Sequence, residues 1–210
     1  IAERLNELGY EVLLGKAIIN PDFVMGRSKT EVEAAQCKAV ELGISKEAIG
    51  ACQGYTGCAA ILETGRPGPV TALRFDIDAL YVTETENVDH IPNKEGFRSE
   101  FQGKMHACGH DCHIAMLLTA TRILHDMKEE LCGTVKLAFQ PAEEVALGAK
   151  SMVEQGALDG VDACFAIHVW TDVKSGMVSL EAGPRMASAD EFHITVKGKG
   201  CHGAQPERGV

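Results

Sequence analysis

Val70-Thr-Ala-Leu-Arg-Phe-Asp-Ile-Asp78 is an apolar run that ends in two aspartates, and the turn Thr64-Gly-Arg-Pro-Gly-Pro69 stands just before it. Two later runs repeat the plan. Gly133-Thr-Val-Lys-Leu-Ala-Phe-Gln140 leads to Pro141 and the pair Glu143-Glu144, and Val161-Asp-Ala-Cys-Phe-Ala-Ile-His168 closes on a histidine. Apolar runs without alternation are those of strands buried on both faces. Between them, residues 114–127 and 145–155 have the spacing of helices. Strands that alternate with helices predict an α/β fold with a central mixed, largely parallel sheet flanked by helices. Ligands in such sheets sit beyond the carboxyl ends of the strands. Asp76, Asp78, Glu143, Glu144 and His168 are all predicted there, which is the best reason in the residues for one converged site.

Outward from these strands the pattern holds. Residues 3–8 read as a helix stopped by Gly9, and 10–19 as an extended segment ending at the turn Asn20-Pro-Asp22. Residues 29–42 read as a helix ended by Gly43, and 56–62 as a strand. Residues 176–181 read as a short strand, and Gly183-Pro184 as a break. Over 190–197 the pattern changes: Phe192, Ile194 and Val196 alternate with Glu191, His193 and Thr195, the period of a strand with one buried face. Residues 1–186 are therefore expected to form one domain, and 187–210 to begin a second, smaller α+β domain with its first strand. The abrupt start at Ile1 and the glycine-rich end after Gly198 read as those of a fragment.

Composition narrows the function. A 45% hydrophobic chain of 210 residues can bury a core. Its formal charge of -10 argues against nucleic acid and anionic membrane surfaces, which need a cationic face. No apolar run is long enough to span a bilayer. The eight cysteines show no paired spacing, so free thiols in a reducing cytoplasm are expected.

The chemistry concentrates in Lys104-Met-His-Ala-Cys-Gly-His-Asp-Cys-His113. Thiolate and imidazole are favoured ligands of zinc and its neighbours. Gly109 lets Cys108 and His110 turn toward one point. Asp111 is placed to cap the following helix or to orient a ligand histidine, and His106 and His113 are further candidates. Of two adjacent carboxylates, Glu143 and Glu144, one can hold a metal while the other acts as a general base; both could instead simply favour a helix start. His168 at a strand end is a ligand or a satisfied core histidine. His202, in Lys197-Gly-Lys-Gly-Cys-His-Gly-Ala204, is a loop residue that could polarise a substrate oxygen. The residues leave three readings open: a metal-dependent hydrolase, a cysteine-nucleophile hydrolase built on Cys108, and a non-catalytic metal-binding or dimerisation module.

Ala72-Leu-Arg-Phe-Asp-Ile-Asp-Ala-Leu80, Met105-His-Ala-Cys-Gly-His-Asp111, Phe139-Gln-Pro-Ala-Glu-Glu144, Ala166-Ile-His-Val-Trp170 and Gly198-Lys-Gly-Cys-His202 resemble, in order and spacing, the M20 metallopeptidase family in its amidohydrolase branch. That branch cleaves N-acyl amino acids and includes aminoacylases, hippurate hydrolases, auxin-conjugate hydrolases and p-aminobenzoyl-glutamate hydrolases. The segment around Asn20-Pro-Asp-Phe-Val-Met-Gly26 looks most like the last group. The resemblance implies two divalent ions, zinc or manganese, with Cys108, His110, Glu144 and His168 as ligands and Glu143 as general base. It implies Asp78, or else Asp76, as a carboxylate that orients a ligand. It implies that His202 belongs to a lid domain that reaches across a homodimer, or a heterodimer with a related subunit, and that a further metal-binding histidine lies beyond residue 210. Tyr81, Cys112 and Cys201 depart from the family pattern, which has Pro, Gly and Gly there.

Overall fold

The computed structural model describes residues 1–188, 192–195 and 197–209. The chain divides into two compact units, Ile1–Trp170 and Thr171–Val210.

The first unit is built on five strands: β1 (Glu11–Leu14), β2 (Cys58–Glu63), β3 (Val70–Asp76), β4 (Thr134–Gln140) and β5 (Ala163–Ala166), in the order β1-β2-β4-β3-β5. β1 pairs with β2 and β2 with β4 in antiparallel fashion; β3 pairs in parallel with both β4 and β5. The sheet is mixed, as expected, and β2 is its one reversed strand. β4 lies at the centre because it is apolar on both sides. Leu137 and Phe139 are fully buried on one face, against Leu5, Tyr10, Phe75 and Leu117; Ala138 is buried on the other with Ile18, Ile19 and Met152.

Helices α1 (Ala2–Glu7), α2 (Lys29–Glu41), α3 (Lys46–Ala51), α4 (Ile91–Glu95), α5 (His110–Asp126) and α6 (Gly148–Val153), with 3-10 turns at Gly15–Ala17, Pro21–Phe23 and Lys128–Glu130, accompany the sheet. Leu117 of α5 and Met152 of α6 enter the two opposite core clusters, so these helices cover opposite faces. The parallel register pairs Asp76 with Gln140, which brings the carboxyl ends of β3 and β4 side by side.

Three expectations are corrected. The run that forms β5 predicts a buried strand, yet all four residues of β5 are exposed: it is an edge strand whose outer side no described element covers. α5 begins at His110 and not at residue 114, because a histidine in a helix's first turn carries no apolar signal for the pattern to register. α6 is limited to Gly148–Val153, since Ala142 and Ala146 take positive φ (54° and 55°) and hold residues 141–147 in a turn.

In the second unit the only regular element described is a 3-10 turn, Pro206–Arg208. The short strand expected over 176–181 does not form. Of the strand expected over 190–197, residues 190, 191 and 196 lie outside the described residues, and 192–195 carry no regular structure.

Candidate metal centre

The carboxyl ends of β3 and β4 and the first turn of α5 meet at one point. Asp76 ends β3, and Asp78 follows two residues later. His110 and His113, three residues apart, share one face of α5; both are fully buried, with rings stacked 5.2 Å apart. Gly109 makes the approach possible at φ +84°, where a β-carbon would lie 2.5 Å from Val169 Cγ2. Val169 follows His168, so this glycine lets the end of β5 close over the start of α5.

His110 is the hub. Its Nδ1 donates to the Asp78 carbonyl at 3.0 Å and lies 3.3 Å from the Asp78 carboxylate. That leaves the Nε2 lone pair free. Nε2 is buried without a hydrogen-bond partner, 3.8 Å from Glu143, 3.8 Å from Glu144 and 4.0 Å from Asp76. Glu144 Oε1 is also buried without a partner, although its own backbone N–H donates to Asp78 Oδ2 at 3.1 Å. Asp78 thus fixes two neighbours at once.

His168 is oriented in the same way. Its Nδ1 donates to the Val169 carbonyl at 2.6 Å, and its Nε2 faces Cys108 Sγ at 3.4 Å. His113 behaves differently. Its Nε2 accepts the Val169 N–H at 3.1 Å, so the proton sits on Nδ1, which faces Asp76 at 3.7 Å. Burial, and then the neighbouring His168, pull His113 down to about 4, so it is neutral at physiological pH. In this tautomer it has no lone pair to give a metal. It braces the backbone of Val169, the residue whose carbonyl sets His168.

Burial raises the Asp76 carboxyl while Arg74, paired with it across the strand end, pulls it down. Burial, and then the charge of Glu144, push the Cys108 thiol up to about 11. The site thus gathers carboxylates and a thiol around buried imidazole nitrogens with one nearby guanidinium. Two overlapping sets have ligand atoms within 4.8 Å of one another: Cys108, His110 and Glu144; and Asp76, His110, His113 and His168. Buried imidazole and carboxylate atoms without partners, beside the Cys108 thiol and with excess negative charge, fit divalent cations of the zinc or manganese class.

Asp111 is not drawn in. The residue that caps α5 is Gly109, and Asp111 is exposed within the first turn, its carboxylate on its neighbour's N–H. His202 lies exposed in the second unit, its Nδ1 accepting the Ala204 N–H at 3.2 Å. Glu143 and Glu144 stand in the turn before α6, not at a helix start. Sequence reading passes over Arg74, Gln140 and Val169. Arg74 could have been found: period two puts it on the same side of β3 as Asp76, and its Nε donates to Gln140 at 2.6 Å. Val169 acts through its backbone, which no side-chain pattern reveals.

A sheet-end cluster of this kind fits a metal site in an α/β domain. The chain belongs to the peptidase family M20/M25/M40, whose model matches residues 72–205. Over its whole length, and 50% of the relative's, it is 43% identical to a Haemophilus influenzae homolog of one subunit of p-aminobenzoyl-glutamate hydrolase. The aminobenzoyl-glutamate utilization protein of Klebsiella pneumoniae aligns with 81% of this chain and 37% of its own, at 34% identity and a TM-score of 0.64. A dinuclear metal binding peptidase of the M20 family from Bacillus subtilis aligns with 81% and 36%, at 34% identity and a TM-score of 0.56. The chain spans about half the length of the curated relatives it matches. Its eight cysteines are free, and among the described residues no helix is long and apolar enough to cross a membrane.

Proposed function

We propose that this chain is the metal-binding part of an amidohydrolase that cleaves the amide bond of N-acyl or N-aroyl amino acids, with conjugates of glutamate or a similar acidic amino acid as the substrate class. The observation that carries the reading is the buried, partnerless His110 Nε2 facing three carboxylates. The names of the relatives support the substrate class, since they pair an aminobenzoyl group with glutamate.

Cys108, His110, Glu144 and His168 are the proposed holders of two divalent ions. When bound, such ions polarise the scissile carbonyl and lower the pKa of water. Asp78 holds His110 in the tautomer that presents Nε2, and it holds Glu144 through the backbone. Glu143 takes the proton of the attacking water and delivers it to the leaving amine; its carboxylate lies beside the same His110 Nε2. Asp76 and His113 are positioning residues. Residues 187–210 are read as the start of a lid domain in which His202 stabilises the oxyanion, within a homodimer or with a related partner chain. A thiol pushed up to about 11 is a poor nucleophile, which disfavours the cysteine-hydrolase reading of Cys108.

The test is Glu143→Gln in the intact protein, assayed on a panel of acylated amino acids together with metal content. The expected result is unchanged metal stoichiometry and turnover lowered by about 10²–10⁴-fold, the usual share of a positioned acid–base group. Unchanged turnover would remove Glu143 as the base. Full activity in metal-free protein, abolished by thiol alkylation, would sink the metal reading altogether.

A further inference from the structure

Behind the turn that carries Glu143 and Glu144 lies a cavity of about 180 Å³, opening on the face of the sheet covered by α6. Phe23, Val32, Tyr55, Ala142 and Val145 form its apolar walls, and none of the metal-cluster residues lines it. Arg27 stands in the wall with its guanidinium 4.8 Å from the Tyr55 ring centre and its Nε donating to the Gly54 carbonyl at 3.2 Å. It makes no ion pair among the described residues, so one edge of the guanidinium remains for an anion. A second cation, Lys150, lies 4.8 Å over the ring of Phe23. Met25 and Val145 are exposed apolar side chains at the mouth.

We propose that this cavity is a binding site, separate from the metal centre, for a small aromatic monocarboxylate. Its size decides the ligand: it falls below the roughly 300–1,000 Å³ usual for drug-sized molecules, so a single ring fits and a peptide does not. Its chemistry decides the head group, because a guanidinium held by a ring face and one carbonyl still offers a fork of donors that matches a carboxylate. The site also touches the catalytic turn from behind. Ala142 and Val145 flank Glu143 and Glu144, and Ala142 holds positive φ, a conformation that costs energy without glycine. A bound ring therefore packs against the backbone that aims the glutamate pair.

Titration of the chain with benzoate, and with benzyl alcohol as its uncharged counterpart, tests this by calorimetry and by amide NMR shifts. Saturable benzoate binding is expected, with shifts at Val32, Tyr55 and Ala142, unaltered by a chelator. Arg27→Gln should weaken benzoate about tenfold, the loss of one charge-assisted contact, and leave benzyl alcohol unaffected. Val32→Trp should block both. Circular dichroism confirms that each variant is folded; Arg27 is exposed, so its variant keeps the test alive if the tryptophan does not fold. The proposal is overturned if the folded wild type binds no benzoate saturably, if Arg27→Gln binds it as tightly as wild type, or if the shifts appear at His110 and His113 instead.

Discussion

Helices α2 and α5 are similar in length, 13 and 17 residues, and opposite in construction. α2 is held by its own sequence. Ser28 caps it through the Glu31 N–H, Lys29–Glu33 and Lys38–Glu41 pair along its surface, and it buries no residue. α5 has no side-chain cap and begins from a left-handed glycine, but it buries His110, His113, Leu117 and Thr121. The difference teaches that α5 is stabilised by what packs on it, while its amino end carries a buried imidazole nitrogen, His110 Nε2, that has no hydrogen-bond partner among the described residues. A helix so dependent on tertiary contacts is the right carrier for a site, because its position is set by the sheet whose ends carry the neighbouring carboxylates.

The comparison can be broken in measurable ways. The largest effect expected is from Leu117→Ala, which opens a hole beneath α5 and should cost about 2–5 kcal/mol in denaturant unfolding. Val40→Ala in α2, where the side chain is 42% exposed, should cost less than about 0.5 kcal/mol. Equal losses would abolish the distinction. Next comes metal: zinc or manganese at about 100 times its dissociation constant should stabilise the chain by about 2.7 kcal/mol, read as a rise in melting temperature. His110→Ala should lose most of that rise while Ser28→Ala keeps it.

A third probe is Tyr10, whose hydroxyl donates to the Thr121 carbonyl of α5 at 2.7 Å. Burial pushes this phenol up to about 12 from its ordinary 10. The folded state therefore favours the protonated form. Its contribution is fully present below pH 10 and is lost as pH rises from 10 toward 12. Tyr10→Phe should cost about 1 kcal/mol at neutral pH and remove that part of the alkaline loss, seen by comparing the two unfolding curves across pH. The smallest effect is Ser28→Ala, a lost cap worth about 0.5–1 kcal/mol that should loosen α2 and leave metal binding untouched.

Most of the layout is legible in the sequence. The runs ending at Asp76, Gln140 and His168 announce strands because apolar stretches bounded by turns leave few alternatives. Their shared carboxyl ends bring together Asp76, Asp78, Glu143, Glu144 and His168, as expected from the α/β pattern. What could not be read was the role of each neighbour. Asp111 looks like a cap from its place before an apolar helix, but the helix already starts at His110 with Gly109 as its cap, so the carboxylate lies exposed on the Cys112 N–H. His113 looks like one more polar residue of a first turn; its importance comes from Val169, 56 residues away, whose N–H it accepts. β5 looks buried by composition but is exposed among the described residues, because burial depends on which elements pack on a strand and the strand's own residues do not fix that.

The sequence by itself determined the residue types at the ends of the strands and the thiol, imidazole and carboxylate chemistry they could carry. Local patterning is enough for that, since periodicity and turn residues act over a few positions. Only the tertiary structure decided which atoms of those residues are free. His110 and His113 are both buried histidines of one helical turn, and only the family resemblance separates them in the sequence, since neither composition nor spacing does. The Asp78 carbonyl takes the Nδ1 proton of His110 and leaves Nε2 bare, whereas the Val169 N–H occupies His113. Backbone groups brought from 32 and 56 residues away made that choice, because an imidazole's tautomer follows the hydrogen bond its other nitrogen makes.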